Sequence, residues 1–165
     1  MQAMKILLAV DGSDSGLAAA AEAGRMPWPE GSVVKIISVA EIPAPMTPPL
    51  MMPISSESYR QWARVFKELA DSSIVAALAR FNDGNRGQSE VTTKVVEGFP
   101  KEALLEEAAH WGADLLILGT QGHNAFQRLW LGSVSRAIAS HAGCSVRIVR
   151  ARETTTAAHP YKVLF

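Results

Sequence analysis

A chain of 165 residues, 48% apolar and 19% charged, fits one domain with a proper core and is not a disordered chain. Sixteen basic residues balance sixteen acidic ones, so net charge gives no reason to expect a nucleic acid or an anionic membrane as partner. The single cysteine, Cys144, cannot staple the chain internally and suits a reducing compartment. The apolar Met4–Val10 run is too short for a bilayer span and lacks a cleavage site, so a cytoplasmic protein is expected.

Lys5–Val10 (KILLAV) is a continuous apolar run, as expected of a strand covered on both faces. It ends in a turn, Asp11-Gly12-Ser13-Asp14, that offers Ser13 or Asp14 as N-cap to a helix over Ser15–Gly24. Val33–Val39 is a second, β-branched strand. From Ala40 to Ser56, five prolines and three methionines rule out regular structure. That loop is either an adaptable cover over a pocket or partner, or a segment packed on the neighbouring helix.

Glu57–Phe81 carries apolar residues in steps of three and four, from Tyr59, Trp62 and Phe66 through Leu69, Ile74 and Leu78 to Phe81. It reads as a helix whose stripe is core. Asn82–Ser89 is polar and glycine-bearing, hence a loop. Glu90–Val96 is a third strand. The next helix opens on Pro100, carries Glu102, Glu106 and Glu107 in or near its early turns, and closes on Trp111-Gly112. Asp114–Gly119 is a fourth strand, Ser133–Ala142 a short helix, and Ser145–Arg150 a fifth strand with Val146 and Ile148 alternating against Arg147 and Arg150. Strands alternating with helices imply a doubly wound parallel sheet with helices on both faces. Ligands of such sheets sit beyond the carboxyl ends of the strands. Here those ends carry Val10-Asp11, Val39-Ala40 and Gly119-Thr120.

The stretch Leu115–Ser135 gathers the chemistry. An apolar strand ends at Gly119, Gly122 follows, and after nine more residues Gly132 and Ser133 open a helix. Glycines admit a ligand close to the backbone, and the unpaired N–H groups and positive dipole end of the helix attract anions. Phosphate binding, most simply the phosphates of a nucleotide, is the expectation.

Taken together, VDGSDSG, EGFP, ADLLILGTQG and LWLGSVSRAIASHAGCSVRIVR resemble the universal stress protein family, over nearly all of Met4 to Arg150. Gly119, Gly122, Gly132 and Ser133 stand at the spacing of its nucleotide-binding members. The resemblance implies a single Rossmann-like domain over residues 1–150, a five-stranded parallel sheet of order 3-2-1-4-5, and ATP, with or without Mg²⁺, at the crossover. It also implies a homodimer paired through the last strand, Ser145–Arg150. By position, Asp11, following Val10, would contact the nucleoside and Val39 would flank the base. Leu118, Gly119 and Gly122 would line the ribose and first phosphates, and Gly132, Ser133, Val134 and Ser135 would receive the phosphates.

His123 lies within reach of a phosphate or is a plain surface histidine; both readings stand. Arg128 holds the loop or reaches across a dimer. The tail, residues 151–165, is outside the family pattern; Tyr161–Phe165 is apolar enough to dock on an edge strand or a partner subunit, against the alternative of a disordered tail.

Neither GxxxxGK[ST] nor GxGxxG occurs, and the four histidines show no metal-ligand spacing. Ser133 has no evident histidine–acid partner, and Cys144 reads as buried and inert. The leading reading is therefore a nucleotide-binding stress-response or signalling switch with an unnamed protein partner and at most slow ATP hydrolysis. One alternative is a dimeric interaction module that binds no nucleotide. Another is a true ATPase or nucleotidyl transferase, which would need His123, Arg128 or Arg136 trained on the departing phosphates.

Overall fold

The computed structural model describes residues 2–41, 56–85, 89–120 and 131–151. Its strands are β1 (Lys5–Ala9), β2 (Val33–Ala40), β3 (Glu90–Glu97), β4 (Leu115–Gly119) and β5 (Ser145–Val149). They form one all-parallel sheet in the order β3-β2-β1-β4-β5, as expected. The helices are α1 (Asp14–Arg25), α2 (Ser56–Asn85), α3 (Pro100–Trp111) and α4 (Ser133–His141).

The unbroken apolar run of β1 follows from its central place, with helices on both sides. Ile6, Leu8 and Val10 join Val34, Ile36 and Ile117 under α1 and α2, where Ala19, Ala20, Ala23, Ile74, Ala77 and Phe81 meet them. Leu7 and Ala9 point the other way, with Ile37, Leu116 and Leu118, against Leu104 and Ala108 of α3 and Ile138 of α4. The period of two along a strand separates these two cores.

Element boundaries agree with the sequence reading to within one residue, except at the end of α2. That helix runs on to Asn85, through residues read as loop. Gly84 is there for contact rather than for a turn: a Cβ on it would stand 2.9 Å from the carbonyl carbon of Gly24, and one on Gly24 would stand 2.1 Å from the Phe81 oxygen. The two helices touch backbone to backbone. Asn85 then exchanges side-chain hydrogen bonds with Ser89, donating to its carbonyl at 3.2 Å and accepting from its hydroxyl at 2.8 Å.

The apolar stripe of α2 needs a second correction. Ala70, Ile74, Ala77 and Phe81 are buried, but Trp62 and Leu69 are 44% and 58% exposed. A helix of 30 residues is about 45 Å long, and the eight residues of β2 span only about 26 Å. The first half of α2 therefore runs past the carboxyl ends of the strands and finds no sheet to cover it.

On the opposite face Glu107 is buried, beyond the early turns of α3 where its charge was expected to act. Its two carboxylate oxygens accept separately, from Lys35 of β2 at 2.9 Å and from Lys94 of β3 at 2.6 Å. The Lys35 ammonium also lies 4.1 Å from the centroid of the Trp111 ring. Burial pushes the Glu107 carboxyl up, but the hydrogen bonds and charges of the two lysines outweigh this and hold it below its ordinary 4.5. At the far edge, β5 closes at Val149, which shares a face with Arg147; Arg150 does not. Arg147 pairs with Glu22 of α1 through its Nε at 2.8 Å.

Candidate functional site

The crossover lies between β1 and β4, adjacent strands whose ends meet with Ala9 opposite Leu118. From β1 the chain turns into α1 and on to β2; from β4 it passes to α4 and β5, on the other side. The carboxyl ends of these strands therefore bound a crevice that no crossover helix fills.

On the β1 side, Val10 is buried and donates its N–H to the Ile37 carbonyl at 2.9 Å, and Asp11 stands exposed. Ser13 proves to be the N-cap of α1, its hydroxyl accepting from Gly16 N–H at 3.2 Å. Asp14 adds an acid to that first turn. One amide of this helix end, that of Gly16, is thus satisfied from within.

On the β4 side the backbone is drawn tight. Thr120 donates its N–H to the Val149 carbonyl at 2.9 Å and accepts from Gly132 N–H at 2.8 Å. Thr120 is thereby joined to Gly132 at the cap of α4. Ser135 reinforces this tie between β4 and α4, its buried hydroxyl donating to the Gly119 carbonyl at 2.8 Å. Gly119 must be glycine for packing: a Cβ there would lie 2.3 Å from Ser15 Oγ and 2.8 Å from Gly16 N. Strand β4 thus rests directly on the first turn of α1.

The start of α4 is different. Gly132 is its N-cap, no side chain caps it, and no acid occupies its first turn. Its backbone bond from Arg136 N–H to the Gly132 carbonyl, at 3.0 Å, leaves the N–H groups of Ser133, Val134 and Ser135 without intrahelical acceptors. These three amides, with the positive end of the helix, face the carboxyl edge of the sheet.

Of the residues singled out in the sequence, Val10, Asp11, Val39, Leu118, Gly119, Gly132, Ser133, Val134 and Ser135 all fall at this edge or at the opening of α4. Val39 and Val134 are half-buried against the α3–α4 core, Leu118 is buried in it, and Ser133 is exposed. Gly122, His123 and Arg128 lie outside the described residues, as do the tail beyond Ala151 and most of the proline-rich loop. Thr120, which ties the end of β4 to α4, carried no sequence signal, and Ser13 signalled only a cap.

Arg136 is exposed and donates to the Leu131 carbonyl at 3.5 Å. Cys144 is half-buried rather than buried, and its surroundings push the thiol up from 9.0 by desolvation. Among the described residues no three His, Cys, Asp or Glu side chains converge as metal ligands, and no helix is long and apolar enough to cross a membrane.

Comparison with known proteins agrees with this architecture. A Staphylococcus aureus (strain USA300) protein named as a universal stress protein is 43% identical over 70 residues, which make up 42% of this chain and 42% of that one. The aligned segment thus spans less than half of the curated relative. Universal stress protein UspA from Lactobacillus plantarum superposes with a TM-score of 0.72 at 24% identity, over 91% of this chain and 99% of that chain. The universal stress protein from Archaeoglobus fulgidus, solved in complex with dAMP, gives a TM-score of 0.57 at 18% identity, over 90% of this chain and 99% of that one. At these identities the likeness shows the fold. The model of the universal stress protein family matches residues 3–150, every strand and helix described above, and the chain belongs to that family.

Proposed function

We propose that this chain binds an adenine nucleotide, ATP foremost, in the crevice between β1 and β4, and acts as a dimeric stress-response switch. The observation that carries the reading is the open N-terminus of α4. Three amides without intrahelical acceptors stand where the sheet winding reverses, with no carboxylate of their own helix to compete for them. The Archaeoglobus fulgidus relative, solved with dAMP, supports an adenine nucleotide as the ligand class.

In this reading the N–H groups of Ser133, Val134 and Ser135 receive the phosphates, with the exposed Ser133 hydroxyl beside them. The Ser135 hydroxyl already donates to Gly119, so its part is to hold α4 against the end of β4. Val39 flanks the base, Asp11 meets the nucleoside, and Leu118 and Gly119 line the ribose, with Gly122 and His123 completing the phosphate loop. Mg²⁺, where present, would ride on the phosphates. Hydrolysis is slow at most: Arg136, the one described cation among the candidates, is turned to the Leu131 carbonyl. Residues 1–150 form the nucleotide-binding unit, 151–165 a tail, and β5 pairs across the two-fold axis of a homodimer.

The test is to denature freshly purified full-length protein and assay the supernatant for nucleotides. ATP or ADP near one per chain is expected. An empty supernatant, with no melting shift on adding ATP and Mg²⁺, would overturn the reading in favour of an interaction module without nucleotide. Sedimentation velocity checks the assembly, with a dimer expected and a monomer contradicting the β5 interface.

A further inference from the structure

Among the described residues the carboxylate of Asp11 is held on one side only. Its Oδ1 accepts twice from Ser13, from the hydroxyl at 2.6 Å and from the backbone N–H at 3.0 Å. The Ser13 hydroxyl itself accepts from Gly16 N–H at 3.2 Å. Helix amide, hydroxyl and carboxylate thus form one chain of hydrogen bonds in which each polarises the next. Gly16 is part of the same device: a Cβ on it would lie 3.0 Å from Asp11 Oδ1 and 3.3 Å from Ser13 Oγ. A side chain there would make the Asp11 carboxylate give by a few tenths of an ångström.

With Oδ1 committed, Oδ2 is the acceptor that exposed Asp11 has left among the described residues. A carboxylate accepts only, and it repels phosphate oxygens. Its target in a nucleotide is therefore a neutral N–H or O–H donor on the nucleoside half.

We propose that Ser13 and Gly16 are positioning residues that fix Asp11, so that Oδ2 alone accepts a hydrogen bond from an amine or hydroxyl of the nucleoside. This rests on the nucleotide reading of the crevice. Two groups supply the chemistry, the exocyclic amine of adenine and the ribose hydroxyls, and they are separable. Inosine replaces the amine with an acceptor, and 2′-deoxyadenosine lacks one hydroxyl.

The test is calorimetric titration of the full chain and its Ser13→Ala, Ser13→Thr and Gly16→Ala variants with ATP, adenosine, inosine, 2′-deoxyadenosine and inorganic triphosphate. Ser13→Ala should weaken adenosine binding about tenfold, the value of one charge-assisted hydrogen bond. Inorganic triphosphate should bind it as it binds the wild type, and Ser13→Thr should restore adenosine. Gly16→Ala should weaken adenosine binding without lowering the melting temperature, since alanine favours the helix. That split is one a purely structural role would not produce. Narrowed discrimination against inosine assigns the amine, and against 2′-deoxyadenosine the hydroxyl. Wild-type adenosine affinity in both Ser13→Ala and Gly16→Ala would overturn the proposal while leaving the nucleotide site standing. An equal loss for all ligands, triphosphate included, would also overturn it. Wild-type protein that binds neither ATP nor adenosine would remove the nucleotide reading itself.

Discussion

Two helices, α1 and α4, begin at the same edge of the same sheet, and only one is finished there. At α1, Ser13 caps, Asp14 supplies a negative charge, and Asp11 is tied into the cap. At α4 the cap is Gly132, no side chain among the described residues caps the helix, and the first turn holds no acid. Both helices carry the same dipole, so the difference lies in who answers it. A helix end that satisfies itself contributes about 1 kcal/mol to stability and has little left for a ligand. One left open forgoes that and keeps its amides for an anion. Gly119 joins the two ends, because β4 can rest on the first turn of α1 only without a side chain.

The largest effect should come from a place remote from both ends, which makes it a control. Glu107→Ala leaves Lys35 and Lys94 facing each other in a partly buried site and should cost about 3 kcal/mol by chemical denaturation. ATP affinity should be unchanged; a parallel loss would mean that the sheet edge responds to the whole fold and not to α4. Next comes the contact between the ends. Gly119→Ala forces a methyl to within 2.3 Å of Ser15 Oγ and should cost about 1–3 kcal/mol, with ATP affinity falling because β4 and α1 must part.

The comparison is broken most cleanly by making α4 resemble α1. Gly132 has φ −59° and ψ 161°, which any residue adopts. Gly132→Asp should supply the missing cap, raise stability by a few tenths of a kcal/mol, and lower ATP affinity about tenfold by filling the anion site. Gain in stability with unchanged affinity would put the phosphates elsewhere.

The smallest effect is the acid limb of stability. The Glu107 carboxyl ionises lower in the folded chain than its ordinary 4.5, so the unfolded chain takes up the proton first. The contribution of the ion pairs is whole above pH 4.5 and is lost as pH falls through the folded value. Circular dichroism of Glu107→Gln should show its deficit against the wild type shrinking as pH drops below 4.5.

What the sequence disclosed was whatever local pattern carries. Continuous apolar and β-branched runs gave the strands, and the strand–glycine–helix order around Gly119 and Gly132 marked the crossover. Periodicity could not show how much of α2 would find a partner, because it reports a face and not the length of the sheet beneath. Gly84 carried a turn signal that contact with α1 overrode. Glu107 resembled a charge placed for the helix dipole; its partner Lys35 stands 72 residues away, a pairing that only the β2–β3 register and the path of α3 create. The bond between Ser13 and Asp11 was equally hidden, since a cap residue in sequence says nothing of what its hydroxyl donates to.

The most direct measurement is a titration of ¹⁵N-labelled protein with ATP, followed by the backbone amide resonances. The account predicts large, saturable shifts at Ser133, Val134 and Ser135, exceeding any at the start of α1. Shifts concentrated at the start of α1, with the α4 amides unmoved, would contradict it.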